Sequence, residues 1–393
     1  MFKQILEIVL MNLRTIPQRL GASLVIVIGI AGVVGVFTAL FAMAGGIDAT
    51  LKSSGDARNA LVLRGGSQAE LNSSMDRDTI DIVRQGPGIR KDAEGKPLVS
   101  GELIVIAELP KKGETLGANI TLRGIEPAGF VLRPNLKIIE GRQFTPGLQE
   151  VVVGKGAADQ FEGLAVGNKI RLRGADWDVV GMFASGDSFD SEIITDSATA
   201  QTAWGRPNYF SVALVGLESP DGVKPLHEAL DADPRVNLEA KSQVAYFTEQ
   251  TASTTQGVRV LGTAVAVIMC LGAIFAALNT MYASVSTRTR EIATLRAIGF
   301  GPLPVVASVL VESMLLALAG GVIGAFLAWL LFNGMTVSTL GGSTFTQLVF
   351  DFKVSPALVG TGLQLALAIG FIGGLLPALR AARMPVTVAL REA

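Results

Sequence analysis

Four long apolar runs constrain this chain more than anything else in it: Leu20 to Ala44, Val258 to Tyr282, Val305 to Leu331 and Leu358 to Leu376. Each is long enough to cross a bilayer as a helix, which takes about 20 residues. In lipid the backbone must satisfy its own hydrogen bonds, so such runs are expected as helices. Arg259 is the only Lys or Arg among them, and it lies at an edge where it can snorkel. The first run ends in Ala42-Met43-Ala44, which resembles a signal-peptide cleavage site. It is roughly twice as long as the 7–15-residue apolar core of such a peptide, so it reads as a retained span.

The basic residues orient these spans. Lys3, Arg14 and Arg19 precede the first, Arg288, Arg290 and Arg296 separate the second from the third, and Arg380, Arg383 and Arg391 follow the fourth. With four spans, all three groups fall on one side, expected to be the cytoplasm. Both termini are then cytoplasmic, and the segment 45–257 is outside. Ahead of the first span, Phe2, Ile5, Leu6, Val9, Leu13 and Ile16 recur at helical spacing up to Pro17. Residues 1–19 therefore read as an interfacial amphipathic helix. The expected order is span 20–44, outer domain 45–257, span 258–283, cytoplasmic segment 284–301, span 303–331, short outer loop 332–357, span 358–377 and cytoplasmic tail 378–393.

Past Ala44 the composition turns polar. Short β-rich runs appear at 60–63, 103–107, 119–122, 151–153, 169–173, 177–180 and 211–215. Helical patterns fall between them at 78–84, 197–204 and 223–230, with turn signals at Gly86-Pro87-Gly88 and Ser219-Pro220-Asp221-Gly222. This predicts a mixed α/β domain of about 200 residues, large enough for its own core. Residues 241–256 read as a helix feeding the second span, with Val244, Phe247 and Thr251 on one face. The fold class is thus a four-span helical membrane protein, one span plus three, with an α/β domain between the first two.

Several functions are excluded. The formal net charge of −1 gives no reason to expect a nucleic-acid partner. One cysteine, Cys270, and one histidine, His227, exclude an internal disulfide and a Cys/His zinc site. No G-x-x-x-x-G-K-[ST] loop occurs, so no nucleotide site of that kind is expected on this chain. Gly65-Gly66-Ser67-Gln68-Ala69 reads as a turn rather than a nucleophile elbow, since it lacks the final glycine. Asp187, Asp190, Glu192 and Asp196 lack calcium-loop spacing and read as a solvated acidic loop. Asn72-Ser73-Ser74 and Asn119-Ile120-Thr121 match glycosylation sequons, which matter only in a eukaryotic secretory pathway. No catalytic or metal-binding residue is expected.

Within the spans, Glu312 stands out. A carboxylate near a bilayer centre costs about 2.5–3.5 kcal/mol or more, so Glu312 is expected to be partnered, protonated or near the cytoplasmic interface. A bond to the cytoplasmic segment is preferred over a proton relay, for which the other spans supply no second acid, His or Lys. Asn279 is expected to cap or cross-link helices. Small residues recur at spacing four: Ala317, Gly321 and Ala325; Gly320, Gly324 and Ala328; Ala366, Gly370 and Gly374. They predict close helix packing, within one subunit or across a dimer.

The segment from Ser284 to Phe300 is charged, helix-forming and ended by Gly299, Gly301 and Pro302. Leu278-Asn279-Thr280-Met281, with 285–292 and Leu295-Arg296-Ala297-Ile298-Gly299, resembles the corresponding stretch of MacB/FtsX-type ABC transporter permeases. Val311-Glu312-Ser313, 320–324, and 374–385 with Ala389-Leu390-Arg391 are similar to later parts of that family. Gly141 to Phe144, Glu150 to Gly154 and Trp177 to Gly181 are similar to its periplasmic core domain. The resemblance implies a permease in the bacterial inner membrane, paired with a second permease as homodimer or heterodimer. Two copies of an ABC ATPase, expected as separate chains, would bind ATP and Mg and do the hydrolysis. The cytoplasmic segment would be their coupling helix, with Thr287, Arg288, Thr289, Arg290, Glu291, Ile292, Leu295, Arg296 and Ile298 at the junction. Ile292 and Leu295 would face a socket, with Arg288 and Glu291 one turn back. The work done would be export or expulsion of a hydrophobic or peptide-like molecule, with a periplasmic adaptor and outer-membrane channel as candidate partners. Regulation of an envelope enzyme without transport, and lipoprotein extraction from the outer leaflet, stay open.

Overall fold

The computed structural model describes residues 20–114, 117–340 and 347–383. The amphipathic segment 1–19 and the end of the tail, Arg391 included, lie outside the described residues. The described residues open with α1 (Leu20–Ser53). There follow β1 (Asn59–Arg64), α2 (Arg77–Arg84), β2 (Val99–Pro110), β3 (Gly117–Ile125), α3 (Ala128–Val131), β4 (Lys137–Gly141), β5 (Glu150–Gly154), α4 (Lys155–Gln160), β6 (Lys169–Leu172) and β7 (Ala175–Ala184). Next come β8 (Glu192–Asp196), α5 (Ser197–Ala203), β9 (Val212–Gly216), α6 (Val223–Asp231) and β10 (Leu238–Ser242). The remainder is α7 (Gln243–Thr287), α8 (Thr289–Ala297), α9 (Pro302–Phe332), a hairpin of β11 (Thr336–Leu340) and β12 (Gln347–Asp351), and α10 (Pro356–Arg383). The described residues divide into a helical unit (20–45, 257–335, 352–383) and a sheet unit (46–256, 336–351).

Among the described residues, α1, α7, α9 and α10 are the helices long and apolar enough to cross a membrane. This is a multi-pass membrane protein. The outward faces of α7, α9 and α10 are themselves apolar, with Leu261, Ile268, Phe275, Phe326, Leu330 and Phe371 exposed, as lipid requires. The small-residue stripes are settled by contact. A Cβ on Gly320 would lie 2.6 Å from the Val27 carbonyl oxygen, and one on Gly324 would run into the Ala31 backbone, so this pair faces α1. Gly321 faces the other way, where an added Cβ would come within 2.8 Å of Ala366. Gly370 closes on Ala317 and Gly374 on Ser313, and the Ser313 hydroxyl donates to the Gly370 carbonyl at 2.6 Å. These faces are therefore used inside one subunit, with α9 packed against both α1 and α10. Gly324→Leu is expected to cost at least the roughly 1–3 kcal/mol of an overpacked core. The check is the yield of folded, monodisperse protein after detergent extraction; a parental yield would contradict this packing.

The sheet unit is built on one ten-stranded sheet in the order β10-β1-β9-β2-β3-β8-β5-β7-β4, with β6 paired to β7. Two pairs, β3 with β8 and β5 with β7, are parallel. In β7, Trp177, Val179, Gly181 and Phe183 alternate inward, as the period of a strand dictates. Two cores form. One gathers Val62, Ile80, Phe210, Val215 and Leu226; the other gathers Leu103, Leu122, Val153, Phe161 and Trp177. The strand β2 serves both, because Val99–Glu102 pair with β9 and Leu103–Pro110 with β3. The stretch expected as a short loop, 332–357, carries the β11–β12 hairpin.

Beside β5, Arg142 grips the Glu150 carboxylate with two bonds of 2.7 and 2.6 Å, and Thr145 N–H donates a third. The Arg142 bond, joined by the Thr145 N–H, holds the Glu150 carboxyl down to about 2, against an ordinary 4.5. A depressed folded-state value contributes stability above the ordinary carboxyl range and loses it as pH falls. The stability lead of the parent over Glu150→Gln should thus be full above about pH 4.5 and vanish toward pH 2. Acid titration of Trp fluorescence checks this; a constant lead would contradict it.

Candidate functional site

The second span does not stop at the membrane boundary read from composition. Helix α7 runs to Thr287, so Ser284 to Thr287 belong to it rather than to a separate segment. Arg288 then leaves helical geometry (φ −108°, ψ 10°), and α8 begins at Thr289. The end of α8 is dictated by glycine. Gly299 sits at φ 101°, its N–H donates to Arg296 C=O, and Phe300 N–H reaches back to Leu295 C=O. This double bond pattern caps the helix, and only glycine enters it without strain. Gly301 and Pro302 then open α9, with proline at a position where no N–H is needed.

The charges of this segment divide into buried and exposed. Arg288 is 5% exposed and Glu312 of α9 is 6% exposed. Their Nη1 and Oε2 atoms are 2.9 Å apart, and Arg288 Nε also donates to Glu291 Oε2 at 3.3 Å. Met281, Val285, Ile292, Leu295, Val305 and Val309 line the groove around the pair. Burial of Ile292 against Val305 and Val309 is part of the bundle core. The expected socket-facing pattern is thus reversed for Arg288 and Ile292, because the helix spends its apolar face on its own bundle. Leu295 and Arg296 are half-buried, as is Thr289, while Thr287, Arg290, Glu291, Thr294 and Ile298 are exposed. Ile298 is 68% exposed. Asn279 lies on an exposed side of α7, which continues for two more turns, so it caps nothing.

The sheet unit holds a second ionic centre. Glu102 is fully buried at the point where β2 changes partners, and it takes two 2.7 Å bonds from Arg133 and one of 3.0 Å from Arg123. Arg123, on β3, also grips Glu192 at 2.6 and 3.0 Å and Glu70 at 2.9 and 3.1 Å. Burial works against the Glu102 carboxylate, but Arg133 and then Arg123 outweigh it and hold its pKa below the ordinary range. Burial wins at Glu192 and at Asp187, pushing both up. None of these residues was singled out by its sequence context except in the acidic stretch 187–196, and there the solvated reading fails. Asp187 and Asp196 are buried, Asp187 accepts from Phe189 N–H, and Asp196 caps α5 through Thr199 N–H. Among the described residues no His/Cys/Asp/Glu group could hold a metal ion. His227 accepts from Ala240 N–H, and Gly66 makes the turn after β1 at φ 80°.

A family model described as MacB-like periplasmic core domain matches residues 20–233, more than half of the chain, and one described as FtsX-like permease C-terminal matches 263–386. The chain belongs to the MacB/FtsX permease family. This MacB/FtsX-type permease is 25% identical over 383 residues to the macrolide export ATP-binding/permease protein MacB of Shewanella sp. (strain ANA-3), covering 85% of this chain and 56% of the relative. It is 26% identical over 409 residues to MacB of Chlorobaculum tepidum, covering 97% and 59%. An uncharacterized ABC transporter permease, YknZ of Bacillus subtilis (strain 168), is 25% identical over 292 residues, covering 69% and 70%. The chain thus spans little more than half the length of these MacB relatives. Among solved structures, the extracellular domain of YknZ matches at 19% identity and a TM-score of 0.36, over 47% of this chain and 99% of that one. The periplasmic region of MacB from Actinobacillus actinomycetemcomitans matches at 14% and 0.38, over 49% and 92%.

Proposed function

We propose that this permease transmits the ATP-driven motion of a partner ATPase through α8 to its sheet domain, in a bacterial inner membrane with α8 and both termini in the cytoplasm. Two ATPase copies bind ATP and Mg, and this chain supplies no catalytic group. A second permease, identical or related, completes the assembly. The output is export or expulsion of a hydrophobic or peptide-like molecule, a class supported by the macrolide-export name of the MacB relatives. A periplasmic adaptor and an outer-membrane channel fit the same reading.

The buried Arg288–Glu312 pair carries this proposal. A free loop would absorb a push. Here α8 leaves α7 with a single non-helical residue between them, and the ion pair ties that residue to α9. Pulling the pair apart would leave two charges in an apolar bundle, so α7 and α9 follow α8 rather than release it. The exposed side, with Arg290, Glu291, Thr294 and Ile298, supplies the docking face. Purification of the detergent-solubilised chain from its host is expected to bring down an ATPase carrying a phosphate loop. Arg290→Glu is expected to lower that recovery about tenfold, a free-energy cost of about 1.4 kcal/mol. Parental recovery would contradict docking on α8.

A further inference from the structure

The sheet domain meets chain that comes from the membrane at three places: the end of α1, the start of α7 and the β11–β12 hairpin. One eight-residue segment, Ser185 to Glu192, touches all three. Ser188 Oγ lies 2.7 Å from Ser54 Oγ, just beyond α1, and Ser188 N–H donates to the same hydroxyl at 3.0 Å. The Phe189 ring meets Phe247 of α7 edge-on, with centroids 6.1 Å apart. Ser191 Oγ accepts the Val349 N–H of β12 at 2.9 Å.

The segment is also braced from within and seated on the sheet. Asp190 takes Ser185 N–H at 2.6 Å and Gly186 N–H at 2.9 Å, while Asp187 takes Phe189 N–H at 3.0 Å. Gly186 makes the required left-handed turn at φ 72°. A Cβ on Gly154 would run into the Asp190 backbone, so β5 leaves room for the segment and for nothing bulkier. On its inner side Phe189 lies against both buried guanidinium groups, with Arg133 Cζ at 4.7 Å and Arg123 Cζ at 5.2 Å from the ring centroid. Such contacts strengthen when they are desolvated, as they are here. Those two arginines hold Glu102, which stands where the two cores share β2. A displacement of the segment is therefore passed to both cores rather than absorbed at an edge.

We infer that Ser185–Glu192 is the receiving element of the sheet domain, the counterpart of α8 at the other end of the relay, with Phe189 as its central positioning residue. This rests on the proposed function, since it names where the motion started at α8 is taken up. Composition hides it, because five of its eight residues are Ser or Asp and one is Gly. Packing makes it rigid, and chain connectivity makes it the meeting point of segments leading to all four spans.

The test uses the full-length permease with its copurified ATPase, in a Cys270→Ala background. Spin labels are placed at Thr294→Cys on α8 and Val131→Cys on the sheet domain, both exposed positions. The variant Ser54→Ala/Phe189→Leu/Ser191→Ala removes the two hydrogen bonds to Ser54, the ring contact to α7 and the hydrogen bond to β12. It should keep the nucleotide-free distance and the ATPase rate, and lose at least half of the ATP-dependent distance change. A full change in the triple variant overturns the inference. If the triple variant does not fold, Ser54→Ala and Ser191→Ala are read singly; each should reduce the change, and parental changes in both overturn the inference. Absence of any change in the parent, with the ATPase turning over, would instead sink the proposed function itself.

Discussion

Glu312→Ala and Arg288→Ala should each destabilise the bundle by about 3–5 kcal/mol, the cost of leaving one charge of a buried pair without its partner. The side chains are 2.9 Å apart and almost fully buried, so water cannot take the partner's place. The double variant Arg288→Met/Glu312→Leu should recover most of that loss, because apolar groups of similar size often replace a buried pair at little cost. What it should not recover is coupling. The helix α8 would still pack through Ile292, but the directional tie to α9 would be gone. Stimulation of the ATPase by the permease is expected to fall about tenfold or more in the double variant while its melting curve stays near the parent's. Equal stability in all four proteins would show that the pair is not formed in the membrane. Full stimulation in the double variant would show that it is formed and carries no force.

The second large effect is expected at Glu102. Glu102→Ala strips Arg133 of its carboxylate partner and Arg123 of one of three. The expected cost is again about 3–5 kcal/mol. For a domain of this size each kcal/mol moves the midpoint about 2–4 °C. Trp177 and Trp204, whose rings are 6.2 Å apart in one core, report the transition. Because the Glu102 value is depressed in the folded state, its contribution is full above the ordinary carboxyl range and is lost as pH falls through the depressed value. The deficit of the variant should therefore shrink in acid. A midpoint within 2 °C of the parent at neutral pH would contradict the cluster.

The helical half was legible because lipid imposes one simple code, and each apolar run became a helix. The Gly299 stop of α8 was legible for a similar reason, since few backbones other than glycine's enter a left-handed cap. The partners of Gly320, Gly321 and Gly324 were not legible, because small residues at spacing four fit any close neighbour. In the sheet domain, 119–122 read as a strand that ended before Arg123, while β3 runs through it. A charged residue marks a strand end unless carboxylates from elsewhere in the chain converge on it, and Glu70, Glu102 and Glu192 are far from Arg123 in sequence. The same effect hid β8, whose Ile193-Ile194-Thr195 core is flanked by Glu192 and Asp196. Strand β10, Leu-Glu-Ala-Lys-Ser, has the polar composition of a sheet edge, where it lies.

The claim that joins these observations is that motion imposed on α8 reaches the sheet domain. Its most direct test is the distance between labels at Thr294→Cys and Val131→Cys in the parent complex, measured by pulsed spin-label spectroscopy without nucleotide and with ATP under turnover. The relay predicts two distinct distance distributions, which collapse to one when Arg288→Met/Glu312→Leu is introduced. A single distribution in the parent, at full ATP turnover, would contradict it.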